Sequence, residues 1–398
     1  MDLRPLLTES DTKILFVIAD GLGGIDSEGR GTELEAARTP NLDRLASQGA
    51  TGLTYPVAPG ITPGSGPGHL ALFGYDPVEH DIGRGVLTAL GIDFDLKPGD
   101  VAARGNFCTV NDDGEVTDRR AGRIDSQEST RLVKMLRDIR LDDVEIYVEP
   151  VKEHRFLLVL RSKKEAISAA LDDTDPHRTA VAPRQPHARE EKSQETARAV
   201  SEFLAQAQEI LAKEEPANMV LLRGFAQLPQ LASLQERYGL NGCALAGYPM
   251  YRGIARLLGM KVEDCGPDLD SEIEALRAVW SDHNFLFLHF KDTDSRGEDG
   301  DFDGKVAAIE ELDRVIPRMM ELEPDVVVVT GDHSTPSAMA SHSWHPVPVL
   351  IRAKTCRVDG VNVFGETACA GGGLGHLRAK HLMTLALAHA GRLRKFGA

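Results

Sequence analysis

The sequence predicts an α/β protein: a sandwich built on a mostly parallel sheet, interrupted by a second, smaller α/β domain. Three observations carry this. Residues 13–20, 284–290 and 325–330 are apolar runs of strand length, each followed by polar residues, as in strands buried on both faces. Residues 304–322, between the second and third runs, have helical periodicity. Between the first run and the other two lies a stretch of different texture, with shorter strand candidates.

The elements follow in order. The run 13–20 ends in Asp20 and then Gly21, and reads as a strand leading into a turn. Thr39 before Pro40 predicts a capped helix over 39–46. Residues 63–69, Pro-Gly-Ser-Gly-Pro-Gly-His, read as a loop carrying Ser65. Residues 155–160 form a strand candidate, 172–195 a polar stretch, and roughly 193–213 a long helix. The expected division is 1–80 with 236–398 as one discontinuous domain, and 81–235 as the insertion.

Charge excludes some functions. Lys and Arg number 45 against 61 Asp and Glu, a net charge of −16, so neither nucleic acid nor an anionic membrane is an expected partner. A small anionic substrate then needs locally placed arginines. Five scattered cysteines without a Cys-x-x-Cys pair read as free thiols. The segment Met1–Lys13 lacks an apolar core, and no apolar run approaches the roughly 20 residues of a membrane span. The expectation is a soluble, cytoplasmic protein.

The chemistry gathers at strand ends. Asp20 follows the first strand; Asp294 and Glu298 follow the second; Asp332 and His333 follow the third, with His342 shortly after. Carboxylates with imidazoles suit Mn2+ or Zn2+ rather than Ca2+. Singly each has a plainer reading: an Asp at a strand end caps or turns the chain, and Asp294 with Glu298 forms a solvated acidic segment. Three buried strands ending alike favour a metal centre. Ser65 likewise is either an ordinary loop residue or a nucleophile whose flanking glycines let a phosphate approach, activated by a bound metal. No Gly-x-Ser-x-Gly elbow is present, which disfavours a hydrolase triad.

These segments resemble a family. Residues 36–41, 59–66 running into 69–77, and 330–336, with looser matches at 154–156 and 173–177, resemble the archaeal-type 2,3-bisphosphoglycerate-independent phosphoglycerate mutases of the alkaline phosphatase superfamily. The resemblance implies an alkaline-phosphatase-like three-layer sandwich and an inserted transferase domain closing over substrate. Asp20, Ser65, Asp332 and His333 would surround one divalent cation, and Asp294, Glu298 and His342 a second. Mn2+ is expected first, with Mg2+, Co2+ or Zn2+ also suited, and no 2,3-bisphosphoglycerate. Ser65 would carry the phosphoryl group while 3-phosphoglycerate and 2-phosphoglycerate interconvert. Arg123, Arg155, Arg178, Arg223 and Arg252 are candidate partners for the substrate's carboxylate and phosphate, with His177 beside it. Glu298 stands where many members have His, and Arg252 where Lys is commoner. Those departures leave two alternatives open: another phosphotransferase or phosphomonoesterase of the same superfamily, or an inactive metal-binding relative. The oligomeric state is left open.

Overall fold

The computed structural model describes residues 2–80, 82–164, 166–266 and 268–397. In chain order the strands are β1 (Ile14–Ala19), β2 (Ala50–Tyr55), β3 (Val101–Val110), β4 (Val116–Asp118) and β5 (Val144–Pro150). β6 (Arg155–Ser162), β7 (Met219–Ala226), β8 (Gly242–Ala246), β9 (Lys261–Glu263) and β10 (Phe285–Phe290) follow. β11 (Val326–Thr330), β12 (Val347–Ala353) and β13 (Gly375–Arg378) come last. The chain divides into two compact units, Met1–Asp81 with Leu231–Ala398, and Ile82–Gln230. The expected first residue of the insertion, 81, lies outside the described residues.

In the first unit the strand order is β13-β2-β12-β11-β1-β10-β8-β9. Only β12, antiparallel to both β11 and β2, opposes the common direction among the described strands. The apolar run that reads as a doubly buried strand is one: every residue of β1 has zero exposure. Leu15, Val17 and Ala19 pack with Leu42 and Leu45 of the helix Pro40–Ala46, Ile273 and Leu276 of Leu269–Val279, and Ile309 and Leu312 of Phe302–Met320. The opposite face meets the helices Ser65–Leu72 and Pro249–Leu257, where His69, Phe73, Tyr251 and Phe287 pack ring on ring. Helices on both faces make the sandwich.

Register aligns the functional edge. Ile18 sits opposite both His289 and Thr330, and Ala19 opposite Phe290, so β1, β10 and β11 release Asp20, Lys291 and Gly331 side by side. Sites in open α/β sheets lie beyond such carboxyl ends.

Two local expectations are corrected. Thr39 makes no side-chain cap. Asp313, from the helix Phe302–Met320, accepts from Asn41 N at 3.0 Å and Leu42 N at 2.8 Å instead, so the first-turn donors are satisfied from a neighbouring helix. Ser65 does not sit in a loop throughout: it opens the helix Ser65–Leu72 behind Gly64. A Cβ at Gly68 would lie 2.3 Å from Asp332 O, so glycine there lets the helix press against the β11 exit.

The second unit is antiparallel. β3 pairs with β4, β6 and β7, and β6 with β5. Phe156, Leu158 and Leu160 face a core with Phe203 and Val200 of the helix Gln194–Leu211. No described helix is long and apolar enough to cross a membrane.

Candidate active site

At the carboxyl edge of the first unit, two groups of ligand-type atoms form, each within 4.8 Å: Asp20, Asp332 and His333, and Asp294, His333 and His342. Asp20, Asp332 and His333 are fully buried, and Asp294 nearly so. His333 Nε2 lies 3.2 Å from Asp20 Oδ1, 3.3 Å from Asp332 Oδ2 and 3.2 Å from Ser65 Oγ. His342 stacks on His333 at 3.7 Å between ring centres, with its Nε2 3.6 Å from Asp294 Oδ1 and 3.7 Å from Glu298 Oε1. Glu298 is at the rim, its side chain 57% exposed, one helical turn from Asp294 in Asp292–Glu298.

Hydrogen bonds aim the rings. Thr335 Oγ1 donates to Asp294 Oδ1 at 2.6 Å, so toward His333 Nδ1, 3.0 Å away, it acts as acceptor. Nδ1 of His333 therefore carries a proton, and Nε2 is the nitrogen that faces the carboxylates. His342 Nδ1, 3.0 Å from Pro63 O, is a donor by the same logic, which frees its Nε2. Imidazoles held through one nitrogen with the other exposed to carboxylates are arranged as metal ligands are.

The electrostatics agree. Asp20 stays well below the usual carboxylate range: burial opposes this, but the Lys291 charge and the neighbouring His289 and His333 rings outweigh it. Burial lowers the basicity of His333, yet Asp332, Asp20 and Asp294 raise its pKa to about 9. Asp20 Oδ1 and Asp332 Oδ2 are buried without a hydrogen-bond donor, a costly state for carboxylate oxygens. A divalent cation against them would remove that cost, so the donor set fits one.

Several neighbours escaped the sequence reading. Lys291 Nζ donates to Asp20 Oδ2 at 2.9 Å and to Asp294 Oδ2. The Tyr251 hydroxyl donates to Asp20 Oδ2, and its ring stacks on His289 at 3.6 Å. His69 Nδ1 contacts Ser65 O at 2.9 Å and Asp332 Oδ2 at 3.1 Å. Arg252, the residue after Tyr251, pairs with Asp264 at 4.0 Å.

The second unit concentrates positive charge. Arg223 on β7 sits opposite Arg104 on β3, and Arg155 on β6 opposite Asn106. Residues 104 and 106 share a face of β3, so Arg104, Arg155 and Arg223 share it too. Asp175 ties in Arg119 through two 2.8 Å bonds and Arg223 at 3.5 Å. It also accepts from His177 N at 2.9 Å. Burial and the nearby Arg84 bring Arg223 down to about 10. Burial, then Arg155, Arg104, Arg120 and Arg123, bring His154 down to about 3. Arg123 and His177 both hold positive φ, +54° and +61°, a strained backbone at candidate positions. Arg178 is exposed.

Fold and site define a class: an α/β sandwich enzyme with a buried carboxylate–imidazole centre beside a serine, at the carboxyl ends of a mostly parallel sheet. Comparison with known proteins narrows it. The family of 2,3-bisphosphoglycerate-independent phosphoglycerate mutases matches residues 46–218. A Thermus thermophilus protein named as a probable member is 48% identical over 408 aligned positions, covering all of both chains. An Aquifex aeolicus protein of the same name is 46% identical over 100% of this chain and 99% of its own. The solved cofactor-independent phosphoglycerate mutase of Thermoplasma acidophilum superposes with a TM-score of 0.69 at 29% identity, over 95% of this chain and 99% of that one. The chain belongs to the 2,3-bisphosphoglycerate-independent phosphoglycerate mutases, a family of isomerases.

Proposed function

We propose that this enzyme interconverts 3-phosphoglycerate and 2-phosphoglycerate by passing the phosphoryl group through Ser65. The observation that carries the reading is Ser65 Oγ, 3.2 Å from His333 Nε2, at a centre with buried, donor-free carboxylate oxygens. The names of the full-length relatives, probable phosphoglycerate mutases, support phosphoglycerate as the substrate.

Asp20, Ser65, Asp332 and His333 would hold one divalent cation, and Asp294, His342 and Glu298 a second. Such cations, Mn2+ first among them, neutralise charge on a transferring phosphoryl group and lower the pKa of a serine hydroxyl. The protein's part is to place the nucleophile. Gly68 lets the helix opened by Ser65 press against the β11 exit, and backbone N–H groups at that helix start favour an anion. Ser65 Oγ attacks phosphorus, the bond from phosphorus to the glycerate oxygen breaks, and the proton lost by Ser65 ends on the freed hydroxyl. The second half runs in reverse onto the other hydroxyl. In the second unit Arg155 and Arg223, on the same face as Arg104, carry the forked donors that suit a carboxylate or phosphate.

The test is to incubate protein, Mn2+ and 3-phosphoglycerate, without 2,3-bisphosphoglycerate, and follow the products by phosphorus NMR. The proposal expects 2-phosphoglycerate and negligible free phosphate. Phosphate release without isomer would make the enzyme a phosphomonoesterase.

A further inference from the structure

Lys291 carries a charge that the scheme above does not use. It follows β10 at the functional edge, with its side chain 25% exposed. Its ammonium donates to one carboxylate from each ligand group, Asp20 and Asp294, and lies 3.4 Å from the Tyr251 hydroxyl. The ring of Tyr248 flanks it at 5.6 Å.

The oxygens are divided in a regular way. Lys291 takes Oδ2 of both aspartates. The Oδ1 atoms face the imidazoles of the ligand groups: Asp20 Oδ1 is 3.2 Å from His333 Nε2, and Asp294 Oδ1 is 3.6 Å from His342 Nε2, while the His289 ring, outside those groups, lies 3.4 Å from Asp20 Oδ2. Asp294 Oδ1 is further held by Thr335. Lys305, the other buried lysine nearby, is directed elsewhere, to the carbonyls of Gly23 and Thr335.

We propose that Lys291 is a built-in cation of the centre, which aligns Asp20 and Asp294 through their outer oxygens and weakens the hold of their inner oxygens on divalent cations. This rests on the metal-centre reading above. The physical basis is that an ammonium in contact with a buried carboxylate offsets its negative potential at short range, where solvent screens little. The same charge compensates carboxylates that would otherwise repel one another, so it adds stability that a divalent cation can replace.

The experiment uses the full chain as wild type, Lys291→Met and Lys291→Gln, each stripped with chelator and titrated with Mn2+ by calorimetry and by the EPR signal of free Mn2+. Melting is followed with chelator and with Mn2+. Both neutral variants are expected to bind Mn2+ at least ten-fold more tightly than wild type. They should melt lower in chelator and gain more from Mn2+. A variant that folds only once Mn2+ is added supports the same conclusion. Unchanged or weaker Mn2+ binding in both variants would overturn the role of Lys291 alone. Wild-type protein that takes up no Mn2+ would overturn the metal-centre reading, and this proposal with it.

Discussion

Thr335→Val isolates the residue that joins the two ligand groups. Valine replaces a hydroxyl by a methyl group of similar volume, at a side chain with zero exposure. Two interactions disappear: the 2.6 Å donation to Asp294 Oδ1 and the 3.0 Å acceptance from His333 Nδ1. A hydrogen bond to a charged group contributes about 1.5–3 kcal/mol, and below about pH 9 the His333 bond counts among these. The variant should therefore lose about 3 kcal/mol in urea unfolding with chelator present. His333 also loses what fixes its tautomer, so Mn2+ affinity should drop by about ten- to a hundred-fold. Thr335→Ser keeps the oxygen and should recover most of both. A Thr335→Val protein that unfolds at the wild-type urea midpoint and binds Mn2+ as tightly would refute this role of Thr335.

Other consequences are equally concrete. Gly21 has φ +63°, and a Cβ there would sit 2.5 Å from Thr335 Oγ1 and 2.8 Å from Asp294 Oδ1. Gly21→Ala should thus cost about 2 kcal/mol or more in the same assay and weaken Mn2+ uptake. Arg223→Met should raise KM for phosphoglycerate by about ten- to a hundred-fold while leaving melting unchanged or higher, because it relieves a crowded, buried cation; an unchanged KM would remove Arg223 from the substrate site. Burial, with Asp292 and Asp268 nearby, raises Glu272 to about 8. The folded chain then keeps a proton that the unfolded chain sheds near its ordinary value of 4.5. Stability should fall, by up to about 1.4 kcal/mol per pH unit, as pH rises from 4.5 to 8. Glu272→Gln should flatten that slope, and an identical pH profile would contradict the assignment.

Much of the site was legible in the sequence because strand ends announce themselves. Asp20, Asp294, Asp332 and His333 each follow an apolar run, and parallel register brings those ends together. What escaped has physical reasons. A lysine beside metal-type carboxylates reads as an opponent of cations, so Lys291 passed unnoticed. Arg252 carries the charge in its segment, but successive helical residues point about 100° apart, and it is Tyr251 that reaches Asp20. His289 did leave a signal: it shares a face of β10 with Phe285 and Phe287, one polar residue in a buried apolar row. The Asp313 cap could not be foreseen, because it joins residues about 270 positions apart, a separation local pattern does not reach. The insertion, expected over 81–235, compares with a compact unit of Ile82–Gln230; residues 231–235 carry no strong compositional break.

In the proposed reaction Ser65 is the group that carries phosphoryl. The most direct measurement is to quench the Mn2+-loaded enzyme during turnover of 3-phosphoglycerate and locate phosphate by tandem mass spectrometry, with Ser65→Ala as control. Phosphate on Ser65, absent from the control, is the predicted result. Isomerisation with no phosphorylated Ser65, or Ser65→Ala protein that still turns over, would contradict it.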